Sequence, residues 1–248
     1  MNIQSLCPYR SRAQFYRQFA WLYVLTIAAQ LSNIAYQKLA SDMAFTNTLL
    51  PSLIFLSVLT IPALWIGLVV GKSLGLGLIN QSYTPAETLL SGIKFAVSGA
   101  IVLGGLLLIL RWALASFLPE TLPEYGFRGF LGGVLVSLGA GLGEEIWFRF
   151  GLMTLLLLVC QKALKSGQLN HQIVIIITLF VGILFGLAHL PQLLAYGANS
   201  IFAVWATMLG NTCVAVLYGW CYWRYGLIAA IVAHFSLDIM LHALPAMF

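Results

Sequence analysis

Seven long apolar segments run through this 248-residue chain, and they constrain its fold more than any other feature. They cover residues 18–37, 48–71, 92–117, 129–161, 172–189, 196–222 and 226–244. Each is close to or longer than the ~20 residues that a helix needs to cross a bilayer. The segments are continuous and lack the apolar–polar alternation of barrel strands. The pattern therefore predicts an all-α fold, a polytopic bundle of transmembrane helices.

The composition also points to a membrane. Hydrophobic residues make up 61% of the chain and charged residues 8%. In a soluble domain, roughly 45–50% of the residues are apolar and about 25% are charged. A water-soluble fold cannot hide that much apolar surface, so the lipid bilayer is an expected partner. The net charge of +5 includes 12 Lys and Arg that are scattered singly along the chain. This distribution argues against a nucleic-acid partner.

The fourth apolar segment is the longest of the seven. It spans 33 residues and contains Gly139, Gly141 and Gly143. A helix of this length is either tilted or kinked, or it is broken into a crossing helix and a second piece. The sequence therefore predicts seven to eight spans and does not decide between the two numbers.

Positively charged residues near the ends of spans favour the cytoplasmic side of a membrane. Seven single crossings place eight Lys and Arg on one side, namely Arg10, Arg12, Arg17, Lys72, Lys94, Lys162, Lys165 and Arg224. They leave only Lys38 and Arg128 on the other side. This bias predicts an integral membrane protein with a cytoplasmic N-terminus.

Two parts of the chain differ in their polar content. Residues 1–127 hold N-terminal transmembrane helices without a recognised motif, whereas residues 128–248 carry charged residues and histidines inside apolar segments. A charged side chain deep in a bilayer costs at least ~2.5–3.5 kcal/mol on insertion scales, so its presence needs a reason. We therefore expect a polar cavity and the functional core within residues 128–248.

The first polar group lies in the fourth apolar segment, in the sequence Gly-Glu-Glu-Ile-Trp-Phe-Arg. Glu145 and Arg149 are four residues apart, so on a helix they can form an ion pair. Glu144 points about 100° away from that pair and is free to face a cavity. Arg111 is an alternative partner for Glu144, but it lies near a span end and can extend to the interface. The spacing thus predicts a supporting pair and a separate functional carboxylate.

Histidines and a further carboxylate lie in later segments. His189 closes the fifth segment, and Pro191 predicts a helix end just beyond it. His234 and Asp238 are four residues apart in the last segment, which places them on one face of a helix. Two such groups on one face indicate a shared polar pocket. Asn211, in the middle of the sixth segment, is interpreted as an interhelical hydrogen-bonding residue, with a position at the border of the cavity as the alternative.

These segments together can supply three carboxylates, two imidazoles and an arginine to one site. Such a set suits general acid–base chemistry on a water molecule, or binding of a divalent metal such as zinc by Glu144, His189 and His234. The HExxH zinc-protease signature and the Gly-x-Ser-x-Gly nucleophile elbow are absent. Spacing alone does not decide whether the water would be metal-bound.

Three short motifs occur in order within this part of the chain. They are Glu-Glu-x-x-x-Arg at residues 144–149, Phe-x-x-x-His at 185–189 and His-x-x-x-(Asn/Asp) at 234–238. The trio resembles the CAAX protease and bacteriocin-processing family of intramembrane proteases, which includes the Ras-converting CAAX endopeptidase. The resemblance covers residues 128–244. It implies a helix bundle around a water-filled conical cavity.

The resemblance also implies an activity, which is hydrolysis of a peptide bond near a membrane-embedded or lipidated segment of a peptide or protein substrate. By this likeness Glu144 and His189 would position and deprotonate the attacking water. Glu145 and Arg149 would hold the site together. The family is described both as metal-dependent and as glutamate-dependent without metal, so the resemblance leaves the cofactor open.

The last motif departs from the family pattern. By the resemblance His234 and Asp238 would stabilise the oxyanion, but the family most often has Asn where this chain has Asp238. An Asn amide can donate a hydrogen bond to an oxyanion, whereas an ionised Asp cannot. Three roles therefore stay open for Asp238: it is protonated in its apolar setting, it orients His234, or it ligates a metal.

Two alternatives to a protease are compatible with the same residues. In a non-enzymatic membrane scaffold or immunity protein, the buried polar groups would only tie helices together. In an ion-coupled transporter they would form a relay, although the chain contains no clear inverted repeat.

Overall fold

A computed structural model of the chain describes residues 12–41, 44–80, 85–164 and 170–248. Arg10 and Lys165, which contribute to the predicted charge bias, lie outside these ranges. The described residues form helices joined by short connections, and they contain no strand. The all-α prediction is therefore confirmed for the described part of the chain.

Seven of these helices are long and apolar enough to cross a membrane. They are α1 (Arg12–Ala40), α2 (Thr46–Gly71), α3 (Glu87–Ala113), α4 (Gly129–Ala163), α5 (His171–Ala195), α6 (Ile201–Tyr225) and α7 (Leu227–Met247). The fourth apolar segment forms one 35-residue helix rather than two pieces. Within the described ranges the number of spans is thus seven.

The middle of α4 is π-helical. Residues Gly129–Glu144 and Thr154–Ala163 are α-helical, and Glu145–Met153 between them are π-helical. The hydroxyl of Thr154 donates to the carbonyl of Arg149, five residues earlier, at 3.2 Å. A π-helical turn is wider than an α-helical one and often occurs at functional sites. Here it holds the polar residues that follow Glu144.

The predicted helix end at Pro191 is wrong, because α5 continues through this proline to Ala195. A proline inside a helix removes the single hydrogen bond that its own N–H would donate, and its ring disfavours the preceding turn. The turn after Pro191 keeps its bonds, since Tyr196 N donates to the carbonyl of Gln192 at 3.3 Å. His189 therefore lies inside a helix and not at its end.

Close packing joins α4 to α7 through small residues. A Cβ atom added at Gly133 would overlap the backbone carbonyl of His242 and lie 2.6 Å from Cα of Ala243. A Cβ atom at Gly141 would lie 3.3 Å from Cβ of Phe235. The small-residue row in α4 thus allows α7 to approach closely, as expected for packed membrane helices.

A second small-residue row joins α5 to α6. A Cβ atom at Gly186 would lie 2.9 Å from the carbonyl oxygen of Met208, and one at Gly182 would lie 3.3 Å from the carbonyl oxygen of Thr212. The Thr212 hydroxyl donates to the carbonyl of Gly182 at 3.3 Å. These contacts bring α6 against the helix that carries His189.

The connection between α2 and α3 holds the junction of α6 and α7. The side-chain amide of Asn80 donates to the carbonyl of Trp223 at the end of α6. Leu227 N, at the start of α7, donates to the carbonyl of Gly77 at 2.9 Å. Gly226 adopts a φ of 109°, and a Cβ atom there would lie 2.6 Å from the carbonyl oxygen of Leu78. The start of α7 is therefore fixed by backbone contacts.

Arg111 has partners of its own in the connection between α3 and α4. Its Nη2 atom donates to the carbonyls of Leu122 and Pro123 at 3.4 and 3.2 Å, and its guanidinium lies 5.6 Å from the ring centroid of Tyr125. Arg111 thus binds this connection, and it is not the partner of Glu144.

Candidate active site

Three helices bring the predicted polar residues together in the interior of the bundle. Helix α4 supplies Glu144, Glu145 and Arg149, helix α5 supplies His189, and helix α7 supplies His234 and Asp238. Each of the six side chains lies within 4.0 Å of another member of the group. Residues separated by up to 94 positions in sequence thus form one cluster.

Glu145 is the centre of a buried network. Its Oε1 atom accepts a hydrogen bond from Nη1 of Arg149 at 3.0 Å and another from Nδ1 of His234 at 2.8 Å. Arg149 also donates from Nη2 to the carbonyl of Ala215 in α6 at 3.0 Å. The predicted ion pair is present, and the same carboxylate ties α4 to α7 while its arginine ties α4 to α6. Charge-assisted hydrogen bonds such as these are stronger than neutral ones.

Glu144 has a different environment from its neighbour. Its side chain is 23% exposed, and its Oε2 atom lies 3.9 Å from Nε2 of His189 and 3.9 Å from Nε2 of His234. These distances are too long for direct hydrogen bonds. Among the described residues this buried oxygen has no hydrogen-bond partner. Glu144 thus faces both imidazoles without bonding to either.

His189 is held by its own helix. Its Nδ1 atom donates to the carbonyl of Phe185 at 2.8 Å. In a neutral imidazole the other nitrogen then carries the lone pair, so Nε2 is the acceptor that faces Glu144. The His189 side chain is 27% exposed. It is therefore both oriented and accessible.

His234 and Asp238 lie deeper than His189. The Oδ2 atom of Asp238 is 3.5 Å from Nε2 of His234. Because Nδ1 of His234 is bonded to Glu145, its Nε2 atom is directed between the carboxylates of Glu144 and Asp238. The His234 ring is thus surrounded by three carboxylates and is nearly fully buried.

Two aromatic rings enclose the imidazoles. Tyr218, in α6, stacks on His234 with ring centroids 4.3 Å apart and an interplanar angle of 13°. Phe185 contacts both histidines, with centroid distances of 4.6 Å to His189 and 5.9 Å to His234. The sequence motifs include Phe185 but give no signal for Tyr218, because one tyrosine in an apolar helix resembles any other.

The prediction for Asn211 is wrong. Its side-chain amide donates to the carbonyl of Thr207, one turn earlier in its own helix, at 2.9 Å. A short polar side chain in a membrane helix can satisfy its donor on the preceding turn when no partner helix offers an acceptor. Among the described residues, Asn211 therefore makes no hydrogen bond that ties two helices together.

The spacing of the candidate metal ligands is wider than zinc requires. In the described part of the chain, no three His, Cys, Asp or Glu side chains are close enough together to hold a metal ion. Glu144 Oε2 is 3.9 Å from each histidine Nε2, whereas a tetrahedral zinc with bonds of about 2.0–2.2 Å keeps its ligand atoms roughly 3.3–3.6 Å apart. The donors have the right chemistry for zinc, but as placed they do not fit a bound ion.

Comparison with known proteins identifies a relationship for the part of the chain that holds this cluster. A family model described as type II CAAX prenyl endopeptidase, Rce1-like, matches residues 127–240. The matched range contains all six clustered side chains and Tyr218. Comparisons with curated proteins and with solved structures gave no match.

Proposed function

We propose that this chain is an intramembrane endopeptidase in which Glu144 activates the attacking water, because residues 127–240 match the Rce1-like family model of type II CAAX prenyl endopeptidases. The match indicates a membrane protease. The catalytic type is an inference from the arrangement of the side chains.

The proposal rests mainly on one observation, the position of the Glu144 carboxylate. Its buried Oε2 atom has no hydrogen-bond partner among the described residues and lies 3.9 Å from two imidazole nitrogens. A water molecule that makes hydrogen bonds of about 2.8 Å bridges atoms at such a separation. The carboxylate and an imidazole can therefore bind one water from two sides.

The proposed reaction begins with this water. Glu144 takes one proton from it, while His189 Nε2 accepts a hydrogen bond from its other O–H group and so orients the oxygen. The oxygen attacks the carbonyl carbon of the peptide bond and forms a tetrahedral intermediate. The protonated Glu144 then donates its proton to the amide nitrogen as the carbon–nitrogen bond breaks. The carboxylate is thereby regenerated.

His234 is proposed to stabilise the oxyanion of this intermediate. It donates from Nδ1 to Glu145, so as an imidazolium it has a second N–H group at Nε2 for the oxyanion. The Asp238 carboxylate, 3.5 Å from that nitrogen, has no proton to donate when ionised. We therefore assign Asp238 the role of orienting His234 and balancing its charge.

A purely structural role accounts for only part of the cluster. Glu145 and Arg149 bind three helices together. Glu144 makes no hydrogen bond to any described residue through its buried Oε2 atom, so a scaffold gains little from this costly carboxylate. The exposed fractions of Glu144 and His189 suit residues that contact a substrate.

The substrate is proposed to be a peptide or protein segment that reaches the bilayer, and a lipidated C-terminal peptide is the first to test. The N-terminus is proposed to be cytoplasmic, on the basis of the bias in Lys and Arg.

The test is peptide cleavage by the purified protein in proteoliposomes, with prenylated and unmodified peptides. Glu144→Gln preserves the shape of the side chain and removes the base, so kcat should fall by about 10²–10⁴-fold. Glu124→Gln, at an exposed position between α3 and α4, is the matched control and should retain activity. Unchanged cleavage by a folded Glu144→Gln protein would overturn the proposal.

A further inference from the structure

Tyr218 lies in a membrane helix that packs against the cluster and carries none of the three motifs. It belongs to α6, and its side chain is fully buried. Its ring stacks on the imidazole of His234 at a centroid distance of 4.3 Å, with the two planes 13° apart. This is the closest to parallel of the ring contacts that involve the two site histidines.

The stacking restrains a motion that the hydrogen bond of His234 leaves free. The bond from Nδ1 to Glu145 fixes the direction of one ring nitrogen. It does not prevent the imidazole from tilting about the line of that bond, because hydrogen-bond angles at a carboxylate are broad. A tilt would move Nε2, which lies 3.9 Å from Glu144 Oε2 and 3.5 Å from Asp238 Oδ2. A flat ring in contact with the imidazole face opposes this tilt.

Tyr218 is itself held in place by the buried network. Arg149 donates to the carbonyl of Ala215, three residues before Tyr218 in the same helix. The guanidinium of Arg149 also lies 5.2 Å from the centroid of the Tyr218 ring, and Phe185 contacts that ring edge-on at 6.4 Å. The position of the tyrosine ring is therefore set by α4 and α5 as well as by α6.

The hydroxyl of Tyr218 takes no part in this support. It is buried, and among the described residues it has no hydrogen-bond partner. A buried hydroxyl without a partner costs free energy, so the stacking of the aromatic ring, rather than the hydroxyl, is the contribution of Tyr218 to the cluster. A phenylalanine should therefore perform the same task.

We propose that Tyr218 is a positioning residue that keeps the imidazole of His234 in the plane required for oxyanion stabilisation. The role depends on the proposed protease function, in which His234 Nε2 faces the reacting carbonyl. Tyr218 does not contact the reacting atoms and acts only through His234.

Three variants separate positioning from packing. Tyr218→Phe keeps the ring, Tyr218→Leu removes it, and Tyr222→Leu is the matched control. Tyr222 lies one turn later in the same helix and is also fully buried, but its hydroxyl bonds to Thr154 at 2.7 Å and its ring contacts Phe150. Neither Thr154 nor Phe150 is one of the six clustered side chains, although the Thr154 hydroxyl also donates to the backbone carbonyl of Arg149.

The kinetic measurement is cleavage per folded molecule in proteoliposomes. Tyr218→Phe should retain kcat within about twofold, whereas Tyr218→Leu should lose kcat on the order of 10- to 100-fold with KM nearly unchanged. Tyr222→Leu should lower the thermal midpoint and leave kcat per folded molecule near the wild-type value. Equal kcat values for the two leucine variants would overturn the proposal.

A second measurement does not depend on protease activity. Protein labelled with nitrogen-15 histidine should give a sharp Nδ1–H signal for His234, identified by its loss in His234→Gln. The signal should persist in Tyr218→Phe and broaden or shift in Tyr218→Leu. An unchanged signal in Tyr218→Leu would contradict positioning. A wild-type protein that shows these signals but cleaves no peptide would instead contradict the proposed function.

Discussion

His234 donates a hydrogen bond of 2.8 Å from Nδ1 to Glu145, so a histidine of α7 is oriented by a carboxylate of α4. The same carboxylate oxygen accepts from Arg149 at 3.0 Å. The contact between the helices and the orientation of the His234 ring thus depend on one atom, Oε1 of Glu145. Glu145, the second glutamate of the first motif, therefore orients His234 in addition to forming the ion pair with Arg149.

Removing the arginine from this network should destabilise the protein. Arg149→Met leaves the fully buried Glu145 without its guanidinium, and breaking a buried pair costs about 3–5 kcal/mol. We expect a large drop in the thermal midpoint in detergent, and a loss of cleavage with it. Lys94→Met removes an exposed cation from α3 and serves as the control. Equal midpoints for the two variants would contradict the importance of the network.

The role assigned to Asp238 predicts different results for two substitutions. Asp238→Asn keeps a polar group beside Nε2 of His234, and its amide can donate to an oxyanion. We expect the kcat of Asp238→Asn to stay within about tenfold of wild type. The kcat of Asp238→Leu should fall about 100-fold, because Nε2 of His234 loses the polar group beside it. Steady-state cleavage of one peptide by both variants measures this. Equal losses would indicate that a carboxylate itself is required.

A metal-independent mechanism predicts that chelators have little effect. The donors around Glu144 are too widely spaced for zinc as placed. Cleavage by protein dialysed against EDTA and 1,10-phenanthroline should therefore match that of untreated protein within about twofold. Metal analysis of the purified protein is the companion measurement. Loss of cleavage that returns only when zinc is added would show that a metal is required.

Close packing of α4 against α7 predicts a strong effect of one methyl group. In Gly133→Ala the new Cβ would overlap the backbone of α7 at His242, so α4 and α7, two of the three helices that carry the cluster, must separate. We expect a lower thermal midpoint and lower kcat. Gly105→Ala in α3 is the control, since, apart from the backbone of its own helix, no described residue has an atom within 4 Å of the added Cβ. It should be neutral, or stabilising by up to about 1 kcal/mol.

The proposed orientation predicts which connections face the cytoplasm. With the N-terminus inside, seven crossings place Ser73 on the cytoplasmic side and Glu124 on the opposite side. Both side chains are exposed. In a background without the native cysteines, an impermeant maleimide should label Glu124→Cys in intact cells and Ser73→Cys only after permeabilisation. The reverse pattern would place the N-terminus outside.

The apolar spans and the composition of the cluster were predictable from sequence because both depend on local properties, but the choice between seven and eight spans was not. Hydropathy over about 20 residues predicts a span, and the four-residue spacing of Glu145 and Arg149 predicts their pair. The bond between His234 and Glu145 joins residues 89 positions apart. No local rule predicts such a contact.

Other features were hidden by the properties of single residues. Pro191 predicted a helix end because a proline removes one helical hydrogen bond. The long apolar helix α5, which packs against α6, nevertheless continues through Pro191 to Ala195. Tyr218 carries no charge and belongs to no motif, so its contact with His234 depends on how α6 packs against α7. Helix packing, rather than hydropathy, decides whether α5 continues past Pro191 and which ring Tyr218 contacts.

The sharing of Glu145 between two helices has a consequence for synthesis of the protein. Spans enter the membrane in order, and Glu144, Glu145, Arg149 and His189 are inserted before α7. Until residues 227–247 follow, the Glu145 oxygen lacks its histidine donor and Glu144 has only one imidazole opposite it. The cluster is therefore incomplete through six insertions. Under the proposed function, the site can hydrolyse a peptide bond only after the seventh span docks, so the chain would not cleave itself or its neighbours while it is being inserted.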